Sequence, residues 1–231
     1  MINIRTLEWD SAFFGLRIGI ADIQTSEDAT SLARRHDELK KRYDLLYVFC
    51  SEGLSFNALE SKLVDEKIWY SKLCENREDY KDVMLYMKPE PNESLYKLAL
   101  ISGGFSRFKL DDRLPKGSFE HLYCKWVDNA CPSEGTNKQI FAYCPNGIAK
   151  GMITVDHKGN KAQIGLVAVD LECQHQGVGT KMMSTLEYYL YRKGVMTVDV
   201  ATQAANKDAC HWYEKNGFIK KSVTPIYHWW L

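Results

Sequence analysis

Gly165-Leu166-Val167-Ala168-Val169-Asp170-Leu171-Glu172-Cys173-Gln174-His175-Gln176-Gly177-Val178-Gly179-Thr180 decides how the chain is read. The apolar run Gly165–Val169 reads as a buried strand, and Thr180 opens a helical stretch that reaches Gly194. Between them lies Gln-x-x-Gly-x-Gly, from Gln174 to Gly179. A strand that ends in a glycine turn and feeds a helix makes a phosphate cradle. Glycine has no Cβ, so the backbone bends sharply and comes close to a ligand. The first N–H groups of the helix lack internal partners and sit at the positive end of its dipole. A pyrophosphate fits there without many basic side chains.

Two other nucleotide motifs fail. The P-loop needs Gly-Lys-Ser/Thr, and the chain has Gly179-Thr180-Lys181; the dinucleotide fingerprint Gly-x-Gly-x-x-Gly is absent from this stretch. Downstream, Val195–Ala201 reads as another strand, Asn206 as the N-cap of a helix, and Asn216-Gly217 as its stop. Tyr213 lies two helical turns after Asn206, on nearly the same face.

Gln174 to Gly179 resembles the acetyl-CoA signature of the GCN5-related N-acetyltransferases (GNAT). Asn206-x-x-Ala209-x-x-x-Tyr213-Glu214-Lys215-x-Gly217-Phe218 resembles that family's second block. The resemblance implies acetyl-CoA as co-substrate and no metal. It implies a cradle made by Gln174, Gln176, Gly177, Val178, Gly179 and Thr180, with the strand Leu166, Val167, Ala168 and Val169 supplying backbone N–H groups to the thioester carbonyl. It puts Asn206 on the pantetheine arm and Tyr213, the catalytic candidate, beside the thioester sulfur. The competing reading of Tyr213 is a packing aromatic on an amphipathic helix.

Trp9-Asp10-Ser11-x-Phe13-Phe14-Gly15, Ser102-Gly103-Gly104-Phe105-Ser106-Arg107-Phe108 and Tyr227-His228-Trp229-Trp230-Leu231 narrow the resemblance to the bacterial TDP-fucosamine acetyltransferases. It then implies acetylation of the C4 amine of dTDP-4-amino-4,6-dideoxygalactose for a surface polysaccharide, by direct attack and without a covalent enzyme intermediate. A homodimer is the family expectation. Other acceptors stay open: another small amine such as a polyamine or an antibiotic, a protein N-terminus, or none at all in a silent CoA-binding module. Arg107 is the candidate for the acceptor's phosphates, because a planar guanidinium gives two parallel hydrogen bonds. Phe105 or Phe108 is a candidate to stack on thymine. Alternatively, Arg107 forms a surface pair with Asp111 or Asp112. The general base stays open among Glu172, Asp170, His211 and a water chain.

The whole chain agrees with a soluble enzyme. Its 231 residues are 45% hydrophobic and 26% charged, enough for a sizeable core. Lys+Arg and Asp+Glu are both 30, which argues against a nucleic-acid partner. The N-terminus lacks a signal-peptide core and no run is long enough to span a membrane, so a cytoplasmic, membrane-free protein is expected. The seven cysteines are odd in number and show no Cys-x-x-Cys, as expected of reduced, packed thiols and not a zinc site. His36 falls on an apolar helical stripe and reads as a packed histidine.

The expected fold class is α/β (α+β): the GNAT fold, a mixed, mostly antiparallel sheet flanked by helices, with a smaller α/β domain over 1–88 and the acetyltransferase domain over 89–231. The boundary is set at Lys88-Pro89-Glu90-Pro91-Asn92-Glu93. Within this plan Glu27–Tyr43 and Ser55–Leu63 are expected as helices and Ser94–Ile101 as a strand. Ser102–Phe108 is expected as a glycine-hinged loop and Pro115–Ala130 as a helix. Asn146-Gly147 is expected as a two-residue hairpin, and Phe218–Val223 and Tyr227–Trp230 as two closing strands.

Overall fold

The computed structural model describes residues 2–231. In chain order its elements are β1 (Ile4–Thr6), α1 (Glu8–Phe14), β2 (Ile18–Ile23), α2 (Ser26–Ala33), α3 (His36–Leu39), β3 (Leu45–Cys50), β4 (Ser61–Leu73) and β5 (Val83–Leu85). Then come α4 (Glu93–Ser102), α5 (Arg107–Leu110), α6 (Ser118–Asp128), β6 (Lys138–Tyr143), β7 (Gly151–Lys158), β8 (Lys161–Val169), α7 (Val178–Arg192), β9 (Thr197–Gln203), α8 (Lys207–Lys215) and β10 (Ile219–Trp230). All ten strands join one sheet, in the order β1-β2-β3-β10-β4-β9-β8-β7-β6-β5. The β2–β3 and β8–β9 pairs are parallel and the others antiparallel. Strands from both sides of residue 88 are interleaved in this sheet, with β4 seated between β10 and β9.

Strand alternation divides the core in two. Ile140 and Ala142 point to the cluster under α4 and α6, while Phe141 between them points to the cluster under α7. A third cluster packs α2 and α3 against β2, β3 and the end of β10, through Leu32, Leu39 and Trp229. His36 lies in this region, 5.9 Å from the Trp229 ring centre. No helix among the described residues is long and apolar enough to cross a membrane.

Several local expectations are corrected. Ser94–Ile101 is helical, not a strand: Asn92 caps it by accepting the Leu95 N–H, and Leu95, Leu98 and Ala99 are buried at helical spacing. Ser55–Leu63 is not a helix. Phe56 is pulled into the core, Glu60 takes a left-handed φ of 62°, and Ser61 turns its hydroxyl back onto the Ala58 carbonyl. The helix expected over Glu27–Tyr43 breaks into α2 and α3 around Arg34-Arg35. The closing strands are one, β10, whose register shifts flank a stretch containing Pro225. The two-residue turn falls at Gly159-Asn160 between β7 and β8, while Asn146-Gly147 lies in a wider loop. The segment before Gly15 forms α1, which the sequence pattern did not reveal.

Candidate active site

The site begins with a defect in β8. Ile153 pairs with Val167 and Val155 with Ile164, so Gly165 and Leu166 together face Thr154 in a bulge. Gly165 is required because a Cβ there would lie 2.7 Å from Thr154 Oγ1. That same oxygen accepts the Leu166 N–H at 2.7 Å. The bulge switches the strand's faces: Ile164 packs under α7, Leu166 and Ala168 under α4. It also ends the pairing of β8 with β9, which runs only from Lys161 to Ile164. Beyond it the two strands part and leave a cleft.

Asp170 N–H bonds back to the Lys150 carbonyl at 2.8 Å. Alternation along β8 therefore turns the Val167 and Val169 backbone away from β7, toward the cleft. Of the strand residues singled out from sequence, Leu166 has its N–H committed to Thr154. Val167 and Val169 have theirs directed at the open side.

The loop into α7 is braced by its own side chains. Gln174 Nε2 donates to the Val169 carbonyl at 3.1 Å and Gln176 Nε2 to the Glu172 carbonyl at 2.7 Å. Lys150 ties down Asp170 and Glu172 at 3.1 and 3.0 Å. Gly177 takes φ 79° at the N-cap of α7, a conformation that suits glycine. Gly179 serves differently, since a Cβ would come within 3.2 Å of the Trp212 indole. Among the described residues, the backbone N–H groups from Gln176 to Thr180, Val178 included, meet no acceptor within the protein. A run of free donors at a helix start suits a pyrophosphate.

On the other side of the cleft, Asn206 Oδ1 accepts the Ala209 N–H at 3.2 Å and caps α8. Tyr213 is buried among the rings of Tyr70, Trp212 and Phe218, with centroids 5.8, 4.9 and 5.5 Å away. Burial raises its pKa well above the ordinary phenol value. Asn206, Tyr213, Leu166 and Val167 all line one cavity of about 580 Å³.

The same cavity is lined by Arg107 from α5 and by Asp65, Lys67 and Trp69 from β4. Arg107 does not form the surface pair that was its alternative reading. Asp111 is buried and faces the other way, with Oδ2 2.6 Å from His228 Nδ1 and accepting the Trp230 indole N–H at 3.0 Å. The Arg107 guanidinium instead lies over the rings of Phe108, Tyr47 and Phe49, at 4.3, 5.0 and 5.8 Å. Its Nε is enclosed and unpartnered. Desolvation lowers its pKa, opposed by Tyr47 and by the carboxyls of Asp65 and Asp10.

Asp65 has one oxygen buried without a partner, and burial pushes its pKa up to about 6. Sequence reading missed it, because nothing local to residue 65 relates it to Tyr213. Of the bases considered from sequence, Asp170 and Glu172 are held by Lys150, and neither they nor His211 line the cavity. The loop before Arg107 also differs from expectation. Gly103 is needed because a Cβ would strike Phe119 and Tyr123 at 2.6 and 2.7 Å, so it serves helix packing and not a hinge. Phe108 stacks on Phe14 and also lines the cavity, whereas Phe105 does not line it.

Residues 106–218 match the acetyltransferase (GNAT) family. The chain is similar to the dTDP-fucosamine acetyltransferase of Escherichia coli O6:H1 strain CFT073, 24% identical over 230 residues that cover 99% of this chain and 97% of the relative. In fold it resembles a GCN5-related N-acetyltransferase from Sphaerobacter thermophilus (TM-score 0.59, 14% identity, 97% of this chain and 75% of that one). It also resembles a GNAT-family acetyltransferase from Colwellia psychrerythraea (TM-score 0.52, 15% identity, 89% and 71%). Cleft, cradle and family match converge: residues 106–218 are a GNAT acetyltransferase domain, and the chain that carries it is an acyl-CoA-dependent N-acetyltransferase.

Proposed function

We propose that the enzyme moves the acetyl group of acetyl-CoA to the 4-amino group of a dTDP-linked amino-dideoxy sugar, dTDP-4-amino-4,6-dideoxygalactose, by direct attack. The observation that carries this reading is Arg107: a cation enclosed in the cavity wall that also holds Tyr213, with no carboxylate bonded to it. An enclosed cation without a partner is costly unless a ligand supplies the counter-charge. The full-length similarity to a dTDP-fucosamine acetyltransferase supports the same acceptor.

The geometry supports the following roles. The N–H groups from Gln176 to Thr180 hold the pyrophosphate of acetyl-CoA. Asn206, whose Oδ1 is spent on its cap, keeps its amide NH₂ for the pantetheine arm. The Val167 and Val169 N–H groups polarise the thioester carbonyl as its oxygen gains charge. Asp65, ionised above pH about 6, takes a proton from the acceptor amine so that its lone pair can attack. Tyr213 gives a hydrogen bond to the departing sulfur. Its raised pKa makes complete proton transfer to a thiolate of pKa about 8.5 unfavourable, so hydrogen bonding is its role.

The test is to incubate the protein with acetyl-CoA and dTDP-4-amino-4,6-dideoxygalactose and follow thiol release and product mass. A product heavier by one acetyl group is expected. Thiol release with a polyamine or a peptide N-terminus but not with the nucleotide sugar would overturn the reading.

A further inference from the structure

Strand β4 alternates across the sheet. Ile68, Tyr70 and Lys72 face α7 and α8, whereas Asp65, Lys67 and Trp69 form a row along the cavity opposite Arg107. Lys67 is half-buried, and its Nζ makes neither a hydrogen bond nor an ion pair. It rests on the Trp69 ring, 4.5 Å from the centroid. Two of the cavity's three cations, Arg107 and Lys67, are therefore parked on aromatic faces with no bonded anion; Lys138 is the third. Asp65 alone is close enough to offset both fields, and its own carboxyl is partly unpartnered. Burial and the field of Arg107 both depress the Lys67 pKa. Like charges left facing each other in an enclosed space favour a ligand that brings negative charge between them.

We propose that Lys67 and Trp69 form the second wall of the acceptor site, Lys67 closing with Arg107 on a diphosphate and Trp69 offering its vacated ring face to the nucleotide base. This rests on the reading of the acceptor as nucleotide-linked. The volume of about 580 Å³ lies in the range of small-ligand sites. When Lys67 leaves the ring for a phosphate oxygen, the indole becomes free for stacking. Asp65, two residues before Lys67 on the same face, then meets the sugar end of the ligand, where the amine is. The order amine, diphosphate, base along the acceptor matches the order Asp65, Lys67, Trp69 along the strand.

The test is calorimetric binding of dTDP and of inorganic pyrophosphate, with coenzyme A at saturation so that the cradle is filled. Lys67→Met weakens both ligands by about tenfold or more, the loss of a charge-assisted contact. Lys67→Arg keeps most of the affinity. Trp69→Leu weakens dTDP by about tenfold, within the range for loss of base stacking, and leaves pyrophosphate unchanged. Lys67→Gln replaces the Met variant if that one proves insoluble, and thermal unfolding checks the fold of each. Equal dTDP affinity in wild type and Lys67→Met would overturn this wall and leave the nucleotide-linked acceptor standing. Failure of the wild type to bind dTDP at all would overturn both.

Discussion

Lys72 and Arg107 are enclosed cations on opposite faces of the same sheet, and they are satisfied in opposite ways. Lys72, on the α7 face of β4, meets Glu187 at 2.7 Å, and both side chains are almost completely buried. Arg107, across the sheet, has aromatic rings beneath it and an enclosed Nε with no partner. A buried charge with its counter-ion in place belongs to the fold. A partly buried cation without one is, on the function proposed above, kept for a ligand. The cradle offers the same lesson in backbone form, with free N–H groups at the start of α7 where an ordinary helix would carry a side-chain cap.

The largest expected effect is on the paired side. Lys72→Met leaves Glu187 buried with only Arg77 nearby, at 3.8 Å. It should lower the unfolding free energy by about 3–5 kcal/mol in urea titrations, with acceptor KM unchanged in the folded enzyme. Next is Tyr213→Phe, which keeps the ring packing and removes the hydroxyl. A fall in kcat of about 10²-fold with little change in the KM for acetyl-CoA is expected; wild-type kcat would return Tyr213 to the core.

Arg107→Met comes third and is the mirror of Lys72→Met. It removes a partly buried charge that no carboxylate bonds directly, Asp65 and Asp10 acting on it only through their fields, so unfolding free energy should hold or rise. The KM for the nucleotide sugar should rise about tenfold, or about 1.4 kcal/mol, and that for acetyl-CoA should not move. A destabilised Arg107→Met with normal kinetics would erase the contrast between the two cations. The smallest effect is on pH. Asp65 works as a base only when ionised, so kcat/KM should be flat above pH about 6 on the Asp65 limb and fall as pH drops through it. Asp65→Asn should lower the rate and abolish that limb, and a profile identical to wild type would remove Asp65 from the chemistry.

These two sides were not equally legible in the sequence. The cradle is a local object. One strand, one turn and one helix contribute its donors in sequence order, so Gln174 to Thr180 spell it out, and Asn206 and Tyr213 follow at helical spacing. The glycines were legible as a pair but not in their separate duties, since Gly179 answers to Trp212 in another helix. The acceptor wall is assembled from β4 and α5, more than thirty residues apart, and only the sheet order brings Asp65, Lys67 and Trp69 opposite Arg107. Nothing local distinguishes these residues from an ordinary alternating strand. Ser94–Ile101 misled for a related reason: its apolar residues are too dense for a clear period, and the deciding signal was the Asn92 cap at its start. Two strands were expected where β10 is one, because a proline within a strand usually marks its end, and here a bulged register absorbs it.

The most direct measurement compares kcat/KM for the dTDP-linked amino sugar and for the same sugar without its nucleotide, in wild type and in Arg107→Met. If the unpaired cation is there for the acceptor's phosphates, wild type should favour the nucleotide-linked sugar by at least about tenfold. Arg107→Met should lose most of that preference while its rate on the bare sugar stays as it was. A wild type indifferent to the nucleotide, or a preference undiminished in Arg107→Met, would contradict the assignment of this cavity to a nucleotide-linked amine.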